Sequence, residues 1–381
     1  MPPTIHIALV DDWELRGDGS GDMEKIQIEP LRRLLEVYDG FGLKASINAE
    51  VMQQLAHRRH AKDNAKLGLL ADRWDESLLD AVRRGHDVQL HAHPQWGDSA
   101  FDGSRWDLRG DWDITHYPRD KAFEIVSSSR DYLEKLLRRV DPGYRVRTFR
   151  SGSWAIAPSD HMMEILVANG VVADVSIVGG MRIANRRLSV DYSVVEEPTF
   201  PFYPDLRDAR RVSDRKEPIV CIPTFSFHVS VPFYVWAGAL QVLTGALARV
   251  GVDWTHLTRK PSSIPLERRA ASYEVWRGPR QHFARRALKK LRRENRFYIA
   301  DLSEMSGVLW RKMLAEIRRK VSASTDSAVP IVLENHTKDL GDMRNIRLLA
   351  EHLARQDDVQ VLTLREIASN LEAGRYSVRK R

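Results

Sequence analysis

Short apolar runs alternate with amphipathic stretches along most of the chain. Runs of the first kind include TIHIALV near the N-terminus and DVQLHA close to residue 90, and both end in polar or charged residues. Stretches of the second kind, such as EPLRRLLEVYDG, space their apolar residues three and four apart and then reach a glycine, which is typical of a helix and its C-cap. This alternation predicts an α/β fold with a parallel sheet or a (β/α) barrel.

Polar clusters follow several of the predicted strands. In parallel α/β folds the functional groups collect at the carboxyl ends of the strands. The clusters are DD at 11–12, HAH at 91–93, FRSGSW at 149–154, ADVS at 173–176 and ENH at 334–336. We therefore expect these distant stretches to form one site at one end of the sheet.

The spacing of the histidines and carboxylates in these clusters indicates hydrolytic chemistry. His91 and His93 are two apart on a predicted strand, so both imidazoles point to one face, as ligands of one metal ion must. An isolated pair of this kind is also common in hydrated strand-end loops. Asp11 and Asp12 are adjacent, so their side chains diverge, and one can bind the ion while the other acts as a base. His336, at another strand end, can protonate a leaving amine. A mixed His/Asp set of this kind suits zinc or a similar divalent ion.

Composition narrows the class of protein. The chain has 381 residues, of which 43% are hydrophobic and 29% charged, as in soluble globular proteins and unlike multi-spanning membrane proteins. Cys221 is the only cysteine, which excludes intrachain disulfides and a cysteine-based zinc site. The N-terminus lacks the basic and apolar regions of a signal peptide, so we expect a cytoplasmic protein.

The order and spacing of the clusters resemble the polysaccharide deacetylase family, also called NodB-homology proteins or carbohydrate esterase family 4. LVDDWE is similar to the T-F-D-D-G motif of that family, and GHDVQLHAH to its first histidine motif. FRSGSW, GVVADVSIV and VLENHTKD are similar to its third, fourth and fifth motifs. The resemblance covers about 5–200 and 328–370. It implies a distorted (β/α) barrel of seven strands, forming a single deacetylase-like domain over 1–381 with an insertion at 229–300.

The resemblance also implies a role for each matched residue. These roles are Asp11 as general base, Asp12 and His91 as metal ligands, Arg150 as the partner that orients the base, Asp174 as the residue that tunes the catalytic histidine, and His336 as general acid. The second metal histidine of the family falls on Gln95. We expect His93 to replace it, and the Gln95 amide oxygen remains an alternative ligand.

Two further departures from the family motifs indicate a different substrate surface. Trp13 stands where the family has glycine, and Gly152 where it has proline. We expect substrate contacts from residues near these positions, namely Trp13, Trp96, Ser151, Gly152 and Trp154, with the tryptophans as stacking platforms for sugar rings. Asp18 and Asp22 are alternatives to Asp12 if the local register differs.

The insertion carries a charge pattern of its own. The stretch 231–248 is free of charged residues, and the segment 259–296 holds thirteen lysines and arginines against three glutamates. In QHFARRALKKLRRENRFY the apolar residues share one helical face, as in helices that lie on an anionic membrane. One interpretation is peripheral contact with the inner membrane face, which would give access to a lipid-linked sugar. The other is a buried hairpin or oligomer contact with a solvated basic face. No nucleic acid partner is expected, because no recognition module accompanies the charge.

Together these features predict a metal-dependent hydrolase, with zinc as the expected ion. It would remove an N-acyl group, N-acetyl first of all, from a sugar or polysaccharide in cell-envelope or exopolysaccharide metabolism. Two alternatives stay open: a non-catalytic carbohydrate-binding relative, and a hydrolase of another carbon–nitrogen bond such as a formamide or an imide.

Overall fold

The computed structural model describes residues 3–263 and 296–381. Its strands are β1 (Thr4–Trp13), β2 (Ser46–Glu50), β3 (Asp87–Ala92), β4 (Ser99–Phe101), β5 (Trp106–Leu108), β6 (Thr148–Ser151), β7 (Ala173–Asp174), β8 (Arg182–Ala184), β9 (Ser189–Asp191), β10 (Pro204–Asp205), β11 (Asp208–Val212), β12 (Val220–Cys221), β13 (Ser226–His228), β14 (Phe297–Ile299), β15 (Ala328–Asn335) and β16 (Val359–Val361). Its α-helices are α1 (Glu29–Asp39), α2 (Val51–His60), α3 (Ala65–Arg83), α4 (Arg119–Leu137), α5 (Met162–Ala168), α6 (Val231–Arg249), α7 (Gly307–Val321), α8 (Arg344–Leu353) and α9 (Leu364–Glu372).

The central sheet is parallel and curls into a barrel. Neighbouring strands follow the order β12, β7, β6, β3, β2, β1 and β15, and β16 also pairs with β1. Beyond β12 the chain reaches β15, where Thr224 bridges to Val332 in parallel and the Phe225 amide donates to the Val332 carbonyl at 2.9 Å. The predicted distorted barrel of seven strands is therefore confirmed.

Alternation along the strands separates the barrel interior from the layer of helices. On β1 the odd-numbered Ile5, Ile7 and Leu9 belong to the core beneath the helices, whereas Ala8 and Val10 belong to a second core. That second core combines small residues of β1, β7, β12 and β15 with apolar residues of α9. It fills the lower part of the barrel, so the next even-numbered residues of β1 reach the open carboxyl end.

The insertion begins at the same end of the barrel. β13 and β14 pair antiparallel, and the Ala300 amide donates to the Phe225 carbonyl at 2.8 Å. The Glu334 amide then donates to the Ala300 carbonyl at 2.9 Å, which places Asp301 beside the end of β15. Most of the predicted basic helix at 281–298 lies outside the described residues.

Candidate metal centre and catalytic pocket

The imidazoles of His91 and His93 meet the carboxylate of Glu14 at the carboxyl end of the barrel. Nε2 of His91 lies 3.1 Å from Oε2 of Glu14, and Nε2 of His93 contacts the same oxygen. The two rings are perpendicular, with centroids 4.8 Å apart. All three side chains are buried. The expected convergence of the two histidines is therefore present in the structure.

Each of these groups is oriented by a contact on its outer side. Nδ1 of His91 lies 2.9 Å from the Arg150 carbonyl, which can only accept, so Nδ1 carries the proton and Nε2 is free to bind a metal. The Lys338 ammonium contacts Oε1 of Glu14, the oxygen that faces away from the histidines. Burial would raise the pKa of Glu14, but His93 and Lys338 outweigh it and hold that pKa well below its ordinary value. The carboxylate is therefore ionised.

Gln95 lies behind His93 rather than at the metal-binding side. Its amide nitrogen is 3.0 Å from Nδ1 of His93 and donates to the Gly17 carbonyl at 3.2 Å. This position supports the ring of His93 from outside. For the second metal ligand beside His91, the structure thus favours His93 over Gln95.

Glu50 lies in the same cluster as Glu14, His91 and His93 and is its fourth side chain with a possible metal-binding atom. Its Oε1 accepts from the Gln53 amide at 3.0 Å and caps α2, while its Oε2 accepts from the His93 amide at 2.6 Å. Burial raises the pKa of Glu50 to about 8, against the effect of His93. Since both oxygens already accept backbone hydrogen bonds, Glu50 is placed to hold the backbone of His93.

Asp12, the expected carboxylate ligand, occupies another wall of the same pocket. Its Oδ1 accepts from Asn48 at 2.8 Å and lies 3.6 Å from Nε of Arg150, while Oδ2 lies 3.8 Å from Nε2 of His336. Burial would raise the pKa of Asp12, but Arg150, followed by His91 and His336, holds it below its ordinary value. The structure therefore groups Glu14, and not Asp12, with the two histidines, and it places Asp12 beside Asn48, Arg150 and His336.

Asp11 faces away from the pocket. It pairs with Asn335 of β15, and its Oδ1 accepts from the Asn335 amide group at 2.5 Å. Burial raises the pKa of Asp11 to about 7. Asp18 and Asp22 accept from backbone amides of their own turns, at 3.0 Å each. The structure brings none of these three carboxylates to the histidine pair.

Arg150 joins two carboxylates at the floor of the pocket. It is fully buried, and its Nη1 donates to Oε2 of Glu334 at 3.0 Å on the side opposite Asp12. The indole Nε1 of Trp154 donates to the same oxygen at 3.0 Å. A buried guanidinium between carboxylates favours their ionised forms. Arg150 therefore lies beside Asp12 and Glu334, and not beside Asp11, the base that it was expected to orient.

His336 is oriented by Asp301 rather than by Asp174. Its Nδ1 lies 2.9 Å from Oδ2 of Asp301, whereas Asp174 is buried and accepts from the amide and hydroxyl of Ser176 at 3.1 and 2.6 Å. Burial and Lys338 would lower the pKa of His336, but Asp301 and Asp12 outweigh them and raise it to about 10. His336 is therefore protonated at neutral pH.

Replacing Asp301 with asparagine is expected to shift the alkaline limb of the pH–rate profile to lower pH. Asp301 stabilises the imidazolium of His336, so its loss lets that proton leave at a lower pH, and activity declines sooner as pH rises. Asparagine keeps the capping bond to the Ser303 amide. The matched control is Glu304→Gln, whose carboxylate bonds Ser262. An unchanged limb in the Asp301 variant would contradict this orientation of His336.

Aromatic rings line the mouth of the pocket, a cavity of about 140 Å³. Trp154 stands on one side with its ring centroid 5.9 Å from that of His336, and Trp112 packs over Gly17 on the other. The left-handed backbone of Ser153 and Trp154 (φ 55° and 59°) turns this indole into the site, a conformation that costs about 1–3 kcal/mol per residue. The cavity is smaller than the roughly 300–1,000 Å³ that encloses a whole drug-sized ligand. It suits the reacting group of a larger substrate.

The other expected tryptophan platforms lie elsewhere. Trp13 is fully buried against Trp74, with ring centroids 5.2 Å apart, and its indole donates to the Gln27 carbonyl at 2.8 Å. Trp96 is buried against Trp106 at 5.1 Å and lines a separate cavity. Both are core residues because odd positions on β1, and the turn after His93, point toward the helices. Ser151 lies in the wall of the pocket.

Gly152 is required by the close approach of His93. A Cβ at this position would lie 2.6 Å from Cγ of His93 and 2.8 Å from the Ala92 carbonyl. Gly152→Ala is expected to displace the imidazole, destabilise the fold by about 1–3 kcal/mol and weaken metal binding. The control is Gly68→Ala, whose Cβ would meet only the Ala61 methyl, at 3.6 Å. Thermal unfolding and metal titration check this result, and unaltered metal affinity would contradict it.

Several residues of the site were not predicted from the sequence. They are Glu14, Asn48, Trp112, Asp301, Glu334 and Lys338. Asp12 and Glu14 are two residues apart at a strand end, and so are Glu334 and His336. The spacing that identified the histidine pair therefore also predicts that each of these pairs shares one face. Asp301 ends the short apolar run FYIA, the signal used elsewhere for strand-end carboxylates.

Comparison with known proteins identifies the fold class. No family model matches the sequence, and no curated protein matches it. Among solved structures, the chain is similar to a candidate polysaccharide deacetylase from Mycobacterium smegmatis, with TM-score 0.51, 15% identity, and coverage of 100% of this chain and 94% of that one. At this identity the comparison establishes the fold alone.

Two other solved structures have lower scores. A candidate polysaccharide deacetylase from Pseudomonas aeruginosa PAO1 gives TM-score 0.47 at 11% identity, covering 98% of this chain and 95% of that one. The PuuE allantoinase gives TM-score 0.48 at 10% identity, covering 99% and 96%. The resemblance to polysaccharide deacetylases is confirmed at the level of the fold by the Mycobacterium smegmatis structure.

The residues present fit a divalent metal ion. The donor atoms of Glu14, His91 and His93 lie within 4.8 Å of one another, and the set contains two imidazole nitrogens and one carboxylate oxygen. Two histidines and one glutamate form a known three-residue set for catalytic zinc, which leaves a position for water or substrate. The outer contacts of His91 and Glu14 are those that orient metal ligands in proteins.

Proposed function

We propose that this chain is a metal-dependent hydrolase that removes an N-acyl group, N-acetyl first of all, from a sugar or polysaccharide. The observation that carries the proposal is the arrangement of Asp12 and His336. They face each other at 3.8 Å in the pocket that also contains Glu14, His91 and His93. A base and an acid beside a cluster of metal-binding side chains are what metal-assisted amide hydrolysis requires.

Glu14, His91 and His93 would hold the ion, with zinc as the proposed metal. When bound, it would supply a water of lowered pKa and polarise the acyl oxygen. Oδ1 of Asp12 is occupied by Asn48, which leaves Oδ2 to take the proton from the attacking water. The water oxygen bonds to the acyl carbon and the carbon–nitrogen bond breaks. Nε2 of His336 then delivers its proton to the departing nitrogen, which yields a free amine and a carboxylic acid.

The surroundings of Asp12 and His336 support these roles. Arg150 and Asn48 keep Asp12 ionised, and Asp301 keeps His336 protonated, so both groups start in the required state near neutral pH. Trp154 and Trp112 flank the mouth of the cavity, where they can stack on a sugar ring. The small cavity volume suits the acylamino group, with the rest of the substrate outside.

The proposal predicts release of equal amounts of amine and acetate from N-acetylated sugar oligomers. Activity is expected to disappear after dialysis against a chelator and to return on addition of zinc or cobalt. The assay combines fluorescent amine detection with an enzymatic acetate assay, and Asp12→Asn serves as the inactive control. Binding of the oligomers without any amine release would instead favour a non-catalytic carbohydrate-binding protein.

A further inference from the structure

α6 presents a continuous apolar face to the solvent. Thr244 is its only buried side chain. The exposed apolar residues of this helix lie within one stripe, which we call the α6 face: Val235, Trp236, Ala239, Val242, Leu243 and Ala246. Val242 is 75% exposed and Leu243 54%. Beyond the helix, Val250 and Trp254 are also exposed, at 76% and 53%. An apolar patch of this extent marks an interaction surface.

Both ends of α6 are held by the barrel, so the helix lies along the surface of the protein. Before the helix, the Val229 amide donates to the Arg296 carbonyl at 3.0 Å. After it, Arg344 pairs with Asp253 at 2.7 Å, and the Gly341 amide donates to the Pro261 carbonyl at 3.2 Å. By length and composition the helix could cross a membrane. With its ends tied to one body, it is instead placed to lie on a membrane surface.

The elements that hold α6 belong to the carboxyl end of the barrel, where the candidate site lies. Gly341 and Arg344 follow the loop that carries His336 and Lys338. Lys260, beyond the helix, contacts Glu304, three residues after Asp301. The α6 face and the pocket thus share one end of the protein. A surface that touches this end of the molecule would approach the pocket as well.

The charge of the neighbouring sequence decides which partner fits the α6 face. The segment 259–296 has thirteen basic and three acidic residues, whereas the chain as a whole carries +7. A second copy would carry the same net charge of +7, whereas an anionic bilayer offers both the opposite charge and an apolar layer. We propose that the α6 face docks this protein on the surface of an anionic lipid bilayer. This inference does not depend on the proposed hydrolytic activity.

Vesicle co-sedimentation of the full-length protein tests the proposal. The protein is expected to bind vesicles of phosphatidylcholine with phosphatidylglycerol, to bind weakly to phosphatidylcholine alone, and to dissociate as salt is raised. Leu243→Glu is expected to weaken binding at least about tenfold, because an exposed leucine that would enter the bilayer is replaced by a charge. The matched control is Leu69→Glu on α3, a leucine that is 67% exposed, which should bind as the unaltered protein does.

Two results would overturn the proposal. In the first, the folded protein binds neither kind of vesicle. This result includes the case in which sedimentation velocity reveals a dimer and Leu243→Glu dissociates it. That outcome would assign the α6 face to a second copy. The other is vesicle binding that Leu243→Glu and Leu69→Glu leave equally unchanged, which would mean that charge alone attaches the protein. Circular dichroism of both variants verifies that they remain folded.

Discussion

Replacing Glu14 with glutamine is expected to remove the divalent ion from the protein and to abolish hydrolysis. Oε2 of Glu14 is the oxygen that both histidine rings contact, so its replacement leaves two imidazoles and removes the carboxylate charge that would hold a cation. Removal of a residue that only orients a ligand costs about 10–100-fold in affinity, so loss of the ligand itself should cost at least about a hundredfold. Metal content after dialysis and calorimetric titration measure this effect.

The matched variant is Asp12→Asn. It distinguishes the role of Asp12, within β1, from the role of Glu14, directly after β1. Asp12 faces Asn48, Arg150 and His336, so asparagine there should leave metal binding intact while turnover is lost. Retention of metal by Glu14→Gln together with its loss from Asp12→Asn would restore the assignment that the family motif implied. Because Lys338 loses its ion-pair partner in the Glu14 variant, thermal unfolding must accompany the titration.

The barrel could be predicted because its signals are local. Apolar runs of strand length, amphipathic helices and glycine stops recur in one order, and parallel pairing follows from that order. The strand-end rule also holds for His91 and His336, which line one pocket, and for Arg150, which is buried beside Asp12 of that pocket. These inferences need only the period of each element and no knowledge of tertiary contacts.

The ligand set was harder to predict because it depends on the register of β1. Adjacent aspartates point to opposite faces, and nothing local in VDDWE tells which face is the interior. The interior is fixed by pairing: Asp11 lies opposite Asn335, whereas Asp12 and Glu14 share the face of Ala8 and Val10. The family motif points to Asp11 and Asp12, whereas the structure brings Asp12 and Glu14 to the pocket.

The partner of His336 illustrates a second limit. Asp301 reaches the histidine through a bridge between the end of β14 and β15, after an insertion whose length gives no indication of where the chain returns. Asp174 is also an aspartate at a strand end, like Asp301. Its two oxygens, however, accept hydrogen bonds from Ser176, two residues later. Sequence spacing cannot distinguish a carboxylate that is satisfied locally from one that is available to a distant imidazole.

Replacing His336 with glutamine is expected to separate substrates by their leaving group. An amine must be protonated as it departs, whereas a nitrophenolate leaves unaided, so only amide hydrolysis needs the proton of Nε2. We expect the rate on an N-acetylated sugar to fall by about 10²–10⁴-fold, the usual contribution of a general acid, and the rate on 4-nitrophenyl acetate to fall far less. Glutamine retains a group that can hydrogen-bond Asp301, which limits the structural effect.

The comparison of the two substrates distinguishes catalysis from positioning. If His336 only shaped the pocket or held the ion, its replacement would disturb Glu14, His91 and His93. The rates on both substrates would then fall together. Equal losses on amide and ester would therefore contradict the general-acid role. Metal content should match that of the unaltered protein, because His336 faces Asp12 and Asp301 and not the three donors. An unchanged KM for the sugar, with the loss confined to kcat, would place the missing proton in the transition state.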